Sequence, residues 1–196
     1  MKSLCIVGNG IITHPQGHII NTIDTVVRLS SYKTIGFEHL VGNKTDIVAV
    51  ARIENVPKGV KVWIANPYGL SATPQEIIDR VYNQGYLINP EDCIKRTYKL
   101  CGYKEGGSHP TLGMLTIMMA YTMGRFFYDK IYVTGFDFNH VGKQKYYWTQ
   151  DKIKKLAPES VHNYSNERRV LKKLIADGLV EYLDMSDIYL LEDVLI

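Results

Sequence analysis

His162 and Glu167 stand five residues apart at the head of an amphipathic stretch, separated by Asn163, Tyr164, Ser165 and Asn166. An imidazole with an ordinary pKa near 6.5 can take a proton from a hydroxyl close to neutrality, and a carboxylate at this spacing can orient the loop or cap a helix at Ser165. Tyr146 and Tyr147 supply phenol hydroxyls, which can donate a hydrogen bond to an oxygen on which charge builds. Beside Trp148, the same pair equally suits the apolar anchor of a loop. Gly8-Asn9-Gly10 closes a short apolar run, and Thr111, Leu112 and Gly113 follow Pro110 at the start of a long apolar stretch. The first reads as a tight turn that brings backbone amides to a ligand, and the second as a helix start whose free N–H groups and dipole favour an anion. Gly8-Asn9-Gly10 lacks the full G-x-G-x-x-G, so a dinucleotide site is not indicated by spacing alone.

The elements that must carry these residues alternate. Ser3 to Val7, Thr22 to Leu29, Asp46 to Arg52, Lys61 to Ala65 and Lys130 to Thr134 are apolar, β-branched runs that read as strands. Thr73-Pro-Gln-Glu76 has capping-box spacing and predicts a helix from Pro74 to about Asn83, Pro110 introduces a buried helix through Met123, and Ser165 to Asp177 forms a third closed by Gly178. The expected fold is therefore α/β: one Rossmann-like domain over residues 1–196, with a mostly parallel sheet flanked by helices. Ligands in such a fold sit beyond the carboxyl ends of the strands, where Gly8-Asn9-Gly10 and Gly135-Phe136-Asp137 both fall. Residues 143–160 are polar, Lys-rich and aromatic, the pattern of a mobile lid.

Composition narrows the classes. With 196 residues, 45% hydrophobic and 22% charged, the chain is an ordinary globular one, and its formal charge of +3 is too dispersed to suggest nucleic acid. No apolar run reaches the roughly 20 residues of a membrane span, while the cations at Lys143–Lys155 and Arg168–Lys173 leave contact with a membrane surface open. Cys5, Cys93 and Cys101 form no dense disulfide pattern, which suggests a reducing, cytoplasmic setting.

Residues 5–45, CIVGNGIITHPQGHIINTIDTVVRLSSYKTIGFEHLVGNKT, resemble the large sialylmotif of the eukaryotic-type sialyltransferases. The matching positions are Gly8, Asn9, Gly17, Ile20, Asp24, Val26, Arg28, Gly36, Phe37, Glu38, Val41, Gly42, Lys44 and Thr45. His109 to Phe138, HPTLGMLTIMMAYTMGRFFYDKIYVTGFDF, is similar to the small sialylmotif, and His162 to Glu167 has the His-x-x-x-x-Glu spacing of the family's last motif. The Gly-Phe-Asp ending and the tyrosine-rich segment also resemble bacterial lipooligosaccharide sialyltransferases. Ser30 departs from the pattern, standing where the family usually has Asn, and Cys5 has no partner near Gly124 of the kind that Golgi members pair with it.

The resemblance implies a GT-A-like variant fold and the inverting transfer of sialic acid, or another CMP-linked sugar acid such as Kdo, to a hydroxyl of a glycan or glycolipid. It implies His162 as general base with Glu167 supporting it, and Tyr146 or Tyr147 on the departing phosphate. Gly8, Asn9, Gly10, Arg28, Ser30, Thr111, Leu112, Gly113, Gly135, Phe136 and Asp137 would hold the donor. The Asn9 side chain both donates and accepts, as a pyrimidine or ribose edge requires. One phosphate needs no clamp for a diphosphate, and the chain has no Asp-x-Asp, so no metal and no cofactor are expected. The rival readings are a CMP-binding module without transferase activity and, more remotely, a Rossmann methyltransferase or oxidoreductase using an adenosine cofactor.

Overall fold

The computed structural model describes residues 1–51, 56–67, 75–104, 107–138, 147–148 and 162–184. Seven parallel strands, β1 (Ser3–Val7), β2 (Thr25–Leu29), β3 (Ile47–Val50), β4 (Lys61–Ile64), β5 (Tyr86–Ile88), β6 (Lys130–Thr134) and β7 (Glu181–Tyr182), form one sheet in the order β5-β4-β3-β2-β1-β6-β7. The helices are α1 (Gly17–Thr22), α2 (Glu38–Val41), α3 (Gln75–Gln84), α4 (Glu91–Leu100), α5 (Leu112–Met119) and α6 (Tyr164–Ala176), and α5 runs on into a π-helical turn, Ala120–Gly124.

Successive strand side chains leave on opposite faces, and here both faces are apolar. Leu4, Ile6, Val27, Leu29, Ile131 and Val133 pack with α5 and α6, while Cys5, Val7 and Val26 pack with the α1 and α2 side. Parallel strands covered on both faces read as continuous apolar runs, which is why β1, β2, β3 and β4 are visible in the sequence. Helix α5 is buried at every residue from Gly113 to Met119, as expected of a helix without a polar side.

The expected segment Thr22 to Leu29 divides, since Thr22 ends α1 and the strand starts only at Thr25. The Lys44 ammonium accounts for the break, donating to the Ile23 carbonyl at 2.5 Å and the Asp24 carbonyl at 3.0 Å. The Thr73 cap expected for α3 lies outside the described residues, as does the expected lid apart from Tyr147 and Trp148. No helix among the described residues is long and apolar enough to cross a membrane.

The order reverses at β1. Connections from β1 through β5 step one way across the sheet, and β6 returns to the other side of β1. The crevice above the β1/β6 carboxyl ends is thus the switch point, where open parallel sheets bind ligands.

Candidate active site

The turns leaving β1 and β6 touch through their backbones. The Gly8 N–H donates to the Thr134 carbonyl and the Gly10 N–H to the Gly135 carbonyl, both at 2.8 Å. A Cβ on Gly8 would lie 2.2 Å from the Gly135 oxygen, and Gly135 has φ +70, where a side chain is strained. Gly8 is therefore a packing requirement beneath the site and does not line it.

Above this seam is a cavity of about 350 Å³, within the usual range for small-molecule sites. It is lined by Asn9, Gly10, Ser30, Thr111, Leu112, Gly113, Gly135, Phe136, Asp137 and His162, all expected from the sequence. Leu29, Ser31, Phe138 and Tyr164 also line it and were not anticipated. Ser31 at φ 67 and Phe138 at φ 46 are the non-glycine residues with positive φ among the described residues. Such strain gathers at ligand sites, and nothing in a Ser or Phe letter announces it.

Asn9 is the most informative residue of the floor. Its Nδ2 donates to the Ser30 carbonyl at 2.9 Å, which fixes the amide orientation, and its Oδ1 is buried without a protein donor. A buried orphan acceptor costs about 1–3 kcal/mol unless something donates to it, so this oxygen is shaped for a ligand N–H or O–H. Asn9 does not have positive φ, so turn geometry does not explain its presence. Opposite, Asp137 is almost fully buried and accepts from the Ile11 N–H at 3.2 Å.

Helix α5 points its N-terminus at the cavity. Thr111 is the N-cap, its hydroxyl oxygen accepting from the Met114 N–H at 3.1 Å. Gly113 is required by the Phe136 ring, which a Cβ there would approach to 2.8 Å. The amides of Leu112 and Gly113, free of intrahelical partners, are available to an anion.

His162 enters from the start of α6. Its Nδ1 lies 2.7 Å from the His109 carbonyl, and its ring meets the His109 ring edge-on with centroids 4.9 Å apart. A carbonyl only accepts, so Nδ1 carries the proton and Nε2 keeps its lone pair. Burial and the neighbouring His162 hold the His109 imidazole below its usual range, favouring its neutral form.

Two expected site residues, Arg28 and Tyr147, lie outside the cavity lining, and a third, Glu167, supports the site from behind it. Arg28 is fully buried on the α1/α2 face, its Nε bonded to the Lys44 carbonyl and Thr45 Oγ1, and its Nη2 to the carbonyls of Val41 and Gly42. Strand alternation turns it away from Leu29 and the cavity, so it staples the loop after α2 and is not a donor contact. Glu167 is also fully buried, and it caps nothing: Asn163 is the N-cap of α6, accepting from the Asn166 N–H at 3.0 Å. The Glu167 carboxylate instead accepts from the Tyr103 hydroxyl and the Thr111 N–H and hydroxyl at 2.6–2.8 Å, which makes it a positioning residue. Burial pushes its carboxyl above the usual range, against the pull of those hydrogen bonds.

Tyr147 is buried, with its N–H on the Asn9 carbonyl at 3.3 Å and its hydroxyl donating to the Lys33 carbonyl. Together with the ring of Phe37 at 5.6 Å, this makes it a loop anchor outside the cavity lining. Tyr146 lies outside the described residues.

The family model for glycosyltransferase family 29 (sialyltransferase) matches residues 52–179. The chain belongs to that family. Among curated relatives, mouse lactosylceramide alpha-2,3-sialyltransferase is 23% identical over 222 residues, covering 93% of this chain and 53% of the relative. Mouse CMP-N-acetylneuraminate-beta-galactosamide-alpha-2,3-sialyltransferase 4 is 27% identical over 214 residues, covering 91% of this chain and 63% of the relative. The sialyltransferase chain thus spans about half the length of the first of these. A crystal structure of a mammalian sialyltransferase in complex with Gal-beta-1-3GalNAc-ortho-nitrophenol superposes with a TM-score of 0.65 at 22% identity, over 93% of this chain and 69% of that one. At that identity the likeness speaks for the shared fold, a seven-stranded parallel sheet flanked by helices.

Proposed function

We propose that this chain transfers sialic acid, or a related CMP-linked sugar acid, from its CMP donor to a hydroxyl of a glycan or glycolipid, with inversion and without a metal ion. The observation that carries the reading is the convergence, on one cavity, of a histidine with a fixed tautomer and the open N-terminus of α5.

In this mechanism the acceptor hydroxyl gives its proton to His162 Nε2 as its oxygen bonds to the anomeric carbon. The bond from that carbon to the phosphate oxygen breaks, and CMP leaves with the electron pair. Charge gathering on the phosphate is met by the Leu112 and Gly113 amides and the α5 dipole, a preorganised arrangement that favours the transition state. Asn9 Oδ1 accepts from the nucleoside. Because Nδ1 is held by the His109 carbonyl, the base needs no rotamer search before it acts. A monophosphate leaving group carries too little charge to require a divalent cation here, so helix and backbone suffice. As part of the same reading we place the protein in a reducing compartment, because its three cysteines form no dense disulfide pattern.

The test is incubation with CMP-sialic acid and a galactoside acceptor in excess EDTA, following both CMP release and the sialylated product by mass spectrometry. Product at the stereochemistry opposite to the donor supports the reading. Activity that vanishes with EDTA and returns with manganese contradicts the leaving-group chemistry. Binding of CMP without turnover favours a binding module instead, a reading that Ser30 in place of the family's Asn keeps in play.

A further inference from the structure

We propose that the surface around Phe126 and Phe127 docks this protein on an anionic lipid bilayer. The two rings sit in the turn between the π-helical turn and β6, and they are 73% and 70% exposed. Adjacent phenylalanines left in water at a turn tip are costly, and clustered exposed apolar groups mark an interaction surface.

The chemistry around them selects the partner. The Arg125 guanidinium lies over the Phe126 ring at 5.3 Å and over the Tyr121 ring at 5.7 Å, and Arg96 stacks on Tyr121 at 5.7 Å. Tyr121 in turn helps to line a groove of about 400 Å³ with apolar walls, including Leu100 and Leu179, and with Arg96, Arg169 and Lys173 at its rim. The acidic residues nearby are matched: Asp177 pairs with Lys173 at 2.9 Å, and Glu181 pairs with Lys130 at 2.7 Å. Asp129 accepts from the Lys2 N–H at 2.6 Å. Among the described residues, Arg96, Arg125, Arg169 and the exposed Lys172 have no acidic partner. Protruding phenyl rings beside guanidinium groups that have no acidic partner match the bilayer interface, where aromatic rings enter the headgroup layer and Lys or Arg meet anionic lipid; the exposed Asp129 is the carboxylate beside the rings that a lipid headgroup must avoid.

The patch precedes the first residue of β6, whereas the cavity lies past its last. Docking therefore engages the end of the sheet opposite the catalytic groups, and turnover of a soluble acceptor does not depend on it.

The experiment is co-sedimentation with phosphatidylcholine vesicles, with and without an equal part of phosphatidylglycerol. Binding should require the anionic lipid and weaken in high salt. The double variant Phe126→Ser/Phe127→Ser should bind at least about tenfold more weakly, because two rings no longer insert, with unchanged melting temperature and CMP binding. Should that variant misfold, Arg125→Glu/Arg169→Glu alters exposed side chains only, and it should lose anionic vesicles to a similar degree. Equal binding to neutral vesicles, no binding at all, or retention by both variants overturns the proposal. So does a Phe126-dependent dimer in solution that ignores vesicles, which would assign the patch to a second copy of the chain.

Discussion

Glu167 Oε2 receives the Thr111 hydroxyl at 2.6 Å, and the same hydroxyl oxygen caps the Met114 N–H at 3.1 Å. One buried carboxylate on α6 thus sets the mouth of α5, and it holds the strand of chain whose His109 carbonyl orients His162. The cavity is assembled by contacts between residues more than fifty positions apart.

This coupling has a pH signature. Burial, the largest influence on Glu167, raises its pKa above 4.5, so the native state holds the proton more tightly than the unfolded chain. That contribution to stability is complete below the unfolded value and is lost as pH rises through the folded one. The wild-type advantage over Glu167→Gln in urea denaturation should therefore shrink as pH climbs from about 4.5. A difference that stays flat, or grows, would show that the hydrogen bonds outweigh burial.

Removing the base should separate chemistry from binding. His162→Ala is expected to lower turnover by about two to four orders of magnitude while CMP affinity changes only a few-fold. The rising limb of the wild-type pH–rate profile should vanish in the variant. Near-normal turnover with an intact limb places the base elsewhere.

Asn9→Ala should weaken CMP binding by about 1–3 kcal/mol, since a ligand donor loses its buried acceptor. Calorimetry at matched folded fraction reads this directly. Normal affinity in a folded variant would reduce Asn9 to its tie with the Ser30 carbonyl.

For Arg28 the expected outcome is the reverse. Arg28→Ala strips partners from three backbone carbonyls and Thr45 Oγ1, and it should cost about 2–4 kcal/mol of stability. CMP affinity of the folded fraction should hold. Lost affinity without lost stability would return Arg28 to the donor site.

The sequence made β1 and β6 legible because each is an apolar run stopped by a glycine turn, and those turns in turn located the cavity. It hid β5 and β7, whose three and two residues are too short to show a period. Helix α4 carries its start signals in Pro90, Glu91 and Asp92, a proline followed by two acids in the first turn. Arg28 was misplaced because a motif position records that a residue matters without saying which face it serves; strand alternation with Leu29 held that answer. The bond from Tyr103 to Glu167 had no local trace at all, since its partners are 64 residues apart.

The Gly8–Gly135 seam limits how this site can be remodelled. With a Cβ on Gly8 only 2.2 Å from the Gly135 oxygen, and one on Gly135 2.8 Å from the Gly8 oxygen, neither glycine can accept a side chain unless the two strands part. Directed evolution toward new donors should therefore find this seam beneath the cavity invariant. Altered selectivity should map to the opposite rim, around Ser30, Ser31 and Tyr164, where side chains rather than peptide planes form the boundary.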